Sequence, residues 1–401
     1  MKIFMLWSYY DEYLDCFYKN NPNIRRLSFD KQRERIFDDY FGWPAELARY
    51  MRSKGHDVEF VIRNAYILQN AWAREHNIRE IGPLESDLRI VLAQIKSHKP
   101  DLLLLPNPNN EYYAYIDGAK GYYEKLAFYL GHSLSNVELI KRADLLFAIN
   151  RKYVLNKLPE VDNLFNLGAF FPSKVLKEIG TPEKKYNVVF IGSITEQHTR
   201  RAEILAYLVE NGVDLKLFST LPKFGLWTQL RKSFSDIIRA RGFKMALSRL
   251  SRIVLPSQFD ENIKTLSQVC RPPMYGLEYY ECIASAKICL NVHIDIANQF
   301  SGNIRMYDVT GVGTCLITDK KESNSALFDV SKEILEFDSK EDLLKILKNA
   351  QNNNYSVVEN IAKQGQKKTL LRYTESTTYN NLNDFLKTYG EKHQWVYDRY
   401  G

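Results

Sequence analysis

The chain has 401 residues, 45% hydrophobic, 13% aromatic and 26% charged. That is enough apolar material for two globular cores, and it excludes a disordered or fibrous protein. Lys and Arg number 55 against 48 Asp and Glu, a net +7, which is modest for this length and disfavours a protein built to coat nucleic acid.

The opening run Met1–Trp7 is too short for a secretory signal, and no stretch of about 18 uncharged apolar residues is present to span a membrane. Five cysteines (Cys16, Cys270, Cys282, Cys289, Cys315) form no C-x-x-C pair, which argues against disulfides or structural zinc and for a reducing cytoplasm. In chain order, Lys2–Trp7 reads as a buried strand, Pro44–Lys54 as a helix stopped by Gly55, Asp57–Arg63 as a strand and Leu84–Ser97 as a helix. Asp101–Leu105, Lys125–Leu130, Leu145–Ile149 and Asn163–Leu167 follow as strands. This alternation predicts a parallel, doubly wound sheet over residues 1–173.

Residues 174–185 are polar and read as a linker, after which the pattern restarts. Tyr186–Gly192, Val213–Phe218, Ile288–Val292, Thr314–Thr318 and Glu333–Phe337 read as strands, with helices at Thr199–Asn211, Leu277–Ser285 and Asn303–Thr310. Asp338 and Glu341 resemble a capping box for one more helix. The second domain is expected over 186–355. The last segment, 356–401, holds two helices, Val357–Thr369 and Tyr379–Tyr389, expected to cross back to the first domain.

The most informative motif runs from Ser301 to Thr318. A loop ending in Gly302 leads into a helix whose first turn carries Asn303 and Arg305, so backbone N–H groups and a guanidinium can meet a diphosphate. Asp308, one turn on, is placed to accept hydrogen bonds from ribose or sugar hydroxyls; the ordinary alternative is a surface Arg305–Asp308 ion pair. Gly311 and Gly313 are expected to end the helix tightly. Gly311-x-Gly313 is no dinucleotide fingerprint, because a helix precedes it and a strand follows. A second run offers a strand–Gly192–Ser193 turn with His198, Arg200 and Arg201 at the next helix start. A third, Pro272–Tyr280, offers Tyr275 to stack on a base and Glu278 to accept from a ribose, with Tyr279 and Tyr280 read as core.

Phe190-Ile191-Gly192-Ser193, Met274-Tyr275-Gly276-Leu277-Glu278, Asn291-Val292-His293 and the Gly302–Thr314 run, in that order, resemble the carboxy-terminal domain of CgeB-like (spore-maturation-protein-like) glycosyltransferases. The resemblance covers about Tyr186–Ala350. It implies a GT-B fold, with two Rossmann-like α/β domains facing each other across a cleft. The second domain would bind a nucleotide-sugar donor and the first a glycan or lipid-linked acceptor, for example in cell-surface polysaccharide synthesis. Many GT-B enzymes carry an E-x7-E pair here. Asp308 falls at the second position, but Phe300 occupies the first, which leaves retention or inversion open. With no Asp-x-Asp motif, no metal or other cofactor is expected.

On the acceptor side, His132 is the first choice for a base, with Asp11 and Asp39 also at strand or helix ends facing the cleft. Between 222 and 253, eight Lys and Arg stand against Asp236, interleaved with aromatic and aliphatic residues. This basic amphipathic insertion reads either as core-packed helices or as a contact with an anionic membrane surface at the inner face of the cell membrane. The alternatives to transfer are a sugar-nucleotide epimerase and a non-catalytic membrane or nucleic-acid adaptor.

Overall fold

The computed structural model describes residues 1–131, 134, 136–222, 257–297 and 299–393. His132 and residues 223–253 of the basic insertion lie outside them, so neither expectation meets a structural observation.

Two six-stranded sheets organise the described chain. The first contains β1 (Lys2–Trp7), β2 (Asp57–Ile62), β3 (Leu102–Pro106), β4 (Lys125–Leu130), β5 (Leu145–Ala148) and β6 (Leu164–Asn166), in the order β2-β1-β3-β4-β5-β6. The second contains β7 (Tyr186–Ile191), β8 (Leu215–Phe218), β9 (Cys270–Arg271), β10 (Ala286–Asn291), β11 (Cys315–Asp319) and β12 (Leu335–Phe337), in the order β12-β11-β10-β7-β8-β9. Every pairing is parallel.

Parallel strands carry helices on both faces, which is why these segments read as unbroken apolar runs. In β1 the alternating side chains Ile3 and Met5 enter one core and Phe4 and Leu6 another. In β7, Val189 and Ile191 join the same core as Ile3, while Val188 and Phe190 enter a third. One apolar cluster therefore runs from the first sheet through Phe170 and Phe171 to the second, and the domains share a packed joint.

The carboxy-terminal helices strengthen that joint. Ser356–Arg372 packs on the second domain, where Thr369 and Thr310 share a buried hydroxyl hydrogen bond of 2.6 Å. Glu375–His393 crosses to the first domain: Tyr379 Oη meets His56 Nε2 at 3.0 Å, Phe385 stacks on Phe165 at 4.5 Å and Tyr389 Oη donates to Asp144 O at 3.1 Å.

Several local expectations shift. The helix expected from Leu84 begins at Leu88, leaving Leu84 fully exposed in a loop. The linker contains a short helix, Val175–Ile179, anchored by buried Val175. The last capping motif is formed one residue later than expected, with Ser339 Oγ accepting from Asp342 N at 3.1 Å, because serine's short side chain reaches the third helical N–H.

Candidate functional site

In an open parallel sheet, ligands bind beyond the carboxyl ends of the strands where the strand order reverses. The first sheet reverses between β1 and β3, and the second between β7 and β10. The segments following all four strands meet in one cleft of about 480 Å³: Ser8 after β1, Asn107 after β3, Gly192 and Ser193 after β7, and Arg305 after β10. The two switch points thus face each other.

Arg305 lies in the first turn of helix Ile304–Gly311. Its guanidinium sits 4.9 Å from the centre of the Phe190 ring and crosses the backbone at Gly192. A Cβ on Gly192 would overlap Nη2 and approach Cζ to 3.0 Å, and the residue has φ +150°. Only glycine suits both conditions. Buried Asn291 holds the group from below: its Oδ1 accepts from Arg305 Nη1 at 3.2 Å and from Asn303 Nδ2 at 2.8 Å, while its Nδ2 donates to Thr318 Oγ1 at 3.0 Å. Arg305 Nε is buried without a partner among the described residues. Asn303 turns its side chain toward Asn291 and makes no side-chain cap; its carbonyl accepts from Met306 N at 3.1 Å, which leaves the Ile304 and Arg305 N–H groups of the first turn uncapped. A guanidinium and a helix N-terminus at a switch point form an anion-binding corner.

Asp308 also lines the cleft, but it is only 2% exposed and is no surface ion pair. Its Oδ2 accepts from Tyr279 Oη at 3.0 Å and its Oδ1 from Tyr280 Oη at 3.1 Å. Burial pushes its pKa up to about 7, against the opposing pull of the two tyrosines and Arg305. The two tyrosines expected as plain core therefore hold the carboxyl, taking one lone pair of each oxygen that had been assigned to ligand hydroxyls.

Residues 240–384, which include Tyr275, Asn303, Arg305 and Asp308, match the family model described as glycosyl transferase-like. Among solved structures, sucrose-phosphate synthase from Thermosynechococcus elongatus is 10% identical and covers 98% of this chain and 100% of its own, with TM-score 0.57. Anabaena HepE in complex with UDP and glucose is 11% identical, covering 97% and 100%, with TM-score 0.55. The chain has the GT-B glycosyltransferase fold. It spans 59% of the length of TarM, which it matches over 78% of its own residues with 11% identity and TM-score 0.49. No curated protein matches the sequence significantly.

Within this GT-B fold, the other expected site residues divide. Ser193 and Tyr275 line the cleft. Arg201 is buried and turned to the backbone, donating to Ser193 O at 2.6 Å and to Val292 O at 2.6 and 3.1 Å; it ties the loops after β7 and β10 together. Arg200 points to Asp319 at 3.6 Å. His198 meets Thr195 Oγ1 at 2.9 Å, and burial, with Arg201 and Arg305 nearby, lowers its pKa to about 4. Glu278 is exposed outside the cleft lining.

Three positions have different work from that expected. Gly311 ends helix Ile304–Gly311 as expected but does not line the cleft: it is buried at the domain joint, where a Cβ would overlap the Phe171 ring. Asp39 faces the second domain, its Oδ1 accepting from Leu277 N at 3.3 Å at the start of helix Gly276–Ala284, and a Cβ on Gly276 would overlap its carboxylate. It is a helix cap delivered across the interface, with a pKa raised by burial. Asp11 accepts from Asn64 Nδ2 at 2.7 Å and lines a separate pocket of about 600 Å³ in the first domain.

Sequence reasoning missed the buried pair behind the site. His293 Nδ1 lies 2.7 Å from Asp319 Oδ1, which also accepts from His293 N at 3.0 Å. Burial alone would raise the Asp319 pKa, but His293 and Lys321 outweigh it and bring it to about 2. His293 lies just beyond β10 and Asp319 is the last residue of β11, and nothing local in the sequence joins them.

Proposed function

We propose that the protein is a glycosyltransferase that moves a sugar from a nucleotide-sugar donor, held by the second domain, to a hydroxyl of a glycan or lipid-linked acceptor presented by the first. The observation that carries this reading is Arg305, whose guanidinium stands at a helix N-terminus on the switch point and opens into a cleft walled by both domains. In glycosyl transfer the departing diphosphate gains negative charge as the sugar gains positive charge. Fixed donors aimed at the diphosphate stabilise that separation without reorganising.

Asn291 positions the guanidinium, and Gly192 lets it cross the strand end. Asp308 retains one acceptor lone pair on each oxygen for a ribose hydroxyl, and Tyr275 offers a ring to the base. HepE crystallises with UDP-glucose, which makes UDP-glucose the first donor to test. The guanidinium and helix terminus supply the positive charge that a divalent cation would otherwise bring, so turnover should survive chelation; loss with EDTA and recovery with Mg²⁺ or Mn²⁺ would contradict this. The narrower CgeB-like reading rests on the four ordered motifs of the second domain.

Among the described residues no helix is long and apolar enough to cross a membrane. A lipid-linked acceptor would be reached through the basic insertion. Unchanged sedimentation with anionic liposomes after deleting 222–253 from a folded protein would remove that part of the reading.

The function itself is tested by calorimetry with UDP, UDP-glucose and other nucleotide sugars on the wild type and Arg305→Ala. Binding by the wild type and its loss in the folded variant is expected; undiminished binding in the variant would contradict the site.

A further inference from the structure

The first-domain wall of the cleft has a chemistry of its own. β1 ends at Trp7, followed by Ser8, Tyr9 and Tyr10, and the turn before helix Trp43–Ser53 adds Phe41. The rings interlock. Phe41 stacks on Tyr13 at 3.8 Å and meets Tyr9 and Tyr10 edge-on at 4.9 and 5.6 Å. Trp7 meets Trp43 edge-on at 6.2 Å, and Tyr275 from the opposite domain reaches Phe41 at 5.9 Å. Such edge-to-face arrays fix ring orientation. Tyr10, 62% exposed, and half-buried Trp7 keep ring surface for a ligand.

Among the described residues that line the cleft, the charged side chains are Arg305 and Asp308, both from the second domain. In the donor reading Arg305 is committed to the diphosphate, and Asp308 is held by its tyrosines. Arg63 reaches Ser8 from behind the wall but is already paired with Asp87 and Glu111, so among the described residues a charged acceptor group pressed against the first-domain wall would lose water with no unpaired counter-ion to replace it. A pyranose ring suits the wall better, because its C–H face packs on an aromatic ring and its hydroxyls seek single hydrogen-bond partners. Two such partners stand at the switch point. Ser8 Oγ accepts from Arg63 Nε at 2.9 Å, which leaves its O–H to donate. Asn107 Oδ1 accepts from Gly131 N at 2.7 Å, which leaves its NH₂ as the donating end.

We infer that the acceptor's reacting end is an uncharged pyranose, stacked on Tyr10 and Trp7 and hydrogen-bonded by Ser8 and Asn107. The inference rests on the donor reading above and names the substrate class of the same cleft.

Saturation-transfer NMR on the full chain saturated with UDP tests it. The probes are cellobiose, maltose and lactose, with glucuronic acid and glucose 6-phosphate as charged counterparts. Transfer to ring C–H protons of at least one neutral disaccharide, above that of both charged sugars, is expected. Tyr10→Ala should weaken that binding roughly threefold to tenfold while UDP affinity holds. Charged sugars binding as well as neutral ones, no neutral-sugar signal, a signal seen only without UDP, or an undiminished signal in Tyr10→Ala overturns the inference. Calorimetry of UDP alone separates the two levels: no UDP binding contradicts the donor reading, whereas UDP binding without a neutral-sugar signal contradicts the acceptor inference alone.

Discussion

Gly192→Ala should disable the donor corner without touching any group proposed to contact the donor. At φ +150° an alanine is strained, and its Cβ would stand 3.0 Å from Arg305 Cζ and overlap Nη2. The backbone strain costs roughly 1–3 kcal/mol of stability. The guanidinium must swing away from the strand end, giving up its place over Phe190 and its hydrogen bond to Asn291. A lost charge-assisted bond to phosphate is worth roughly 1.5–3 kcal/mol, so UDP affinity should fall about 10- to 150-fold. Urea unfolding followed by tryptophan fluorescence reads the first quantity and calorimetry with UDP the second. In an Arg305→Ala background the overlap is gone, so adding Gly192→Ala should cost only the strain and leave the residual UDP affinity unchanged. If Gly192→Ala alone binds UDP within about twofold of wild type, Arg305 is not placed by this crossing and the reasoning fails.

Two carboxyls predict opposite pH slopes in separate windows. Asp308 titrates near 7 instead of 3.8, so the folded state keeps a proton the unfolded chain releases, and stability should fall as pH rises from about 4 to about 7; Asp308→Asn should flatten that fall, and an unchanged slope in urea unfolding contradicts the assignment. Asp319 titrates near 2, so its contribution is complete above about pH 4 and is lost toward pH 2; Asp319→Asn should lower stability at neutral pH and remove this acid-side loss, and a full acid limb in the variant argues against the His293 pairing. At the domain joint, Gly311→Ala forces a methyl into the Phe171 ring and should destabilise the protein by roughly 1–3 kcal/mol, with a smaller loss when Phe171→Ala is also present; equal losses in both backgrounds would show that the ring is not the obstacle.

The strands were legible because a parallel sheet buried on both faces demands apolar runs. Lys2–Trp7 and Lys125–Leu130 match β1 and β4 residue for residue, and the other shared strands shift by one or two positions. Helices Asp11–Asn20, Phe29–Phe37 and Tyr66–Glu75 were not read, since aromatic and charged residues crowd them and their buried face is mixed: the second buries Gln32 and Arg33 beside Ile36. β9 has two residues and follows the insertion, too short for any periodicity.

In the site, Arg305 was legible because a helix start and its first turn are local features. What surrounds it was not. Gly192 looked like a turn glycine, but its necessity comes from the Arg305 side chain, brought by a helix more than a hundred residues later. Asp308 looked ligand-facing until Tyr279 and Tyr280 arrived from the preceding helix, and Asp39 looked like a cleft acid until the second domain placed a helix terminus against it. Each miss is a long-range contact that no residue spacing encodes.

The most direct measurement of the central claim is a crystal structure of the chain with UDP or UDP-glucose. The account predicts diphosphate oxygens within hydrogen-bond distance of the Arg305 guanidinium and the first-turn N–H groups of helix Ile304–Gly311, with the sugar end facing Tyr10 and Trp7. A nucleotide bound elsewhere, with Arg305 still resting on Phe190 and touching no phosphate, would contradict it.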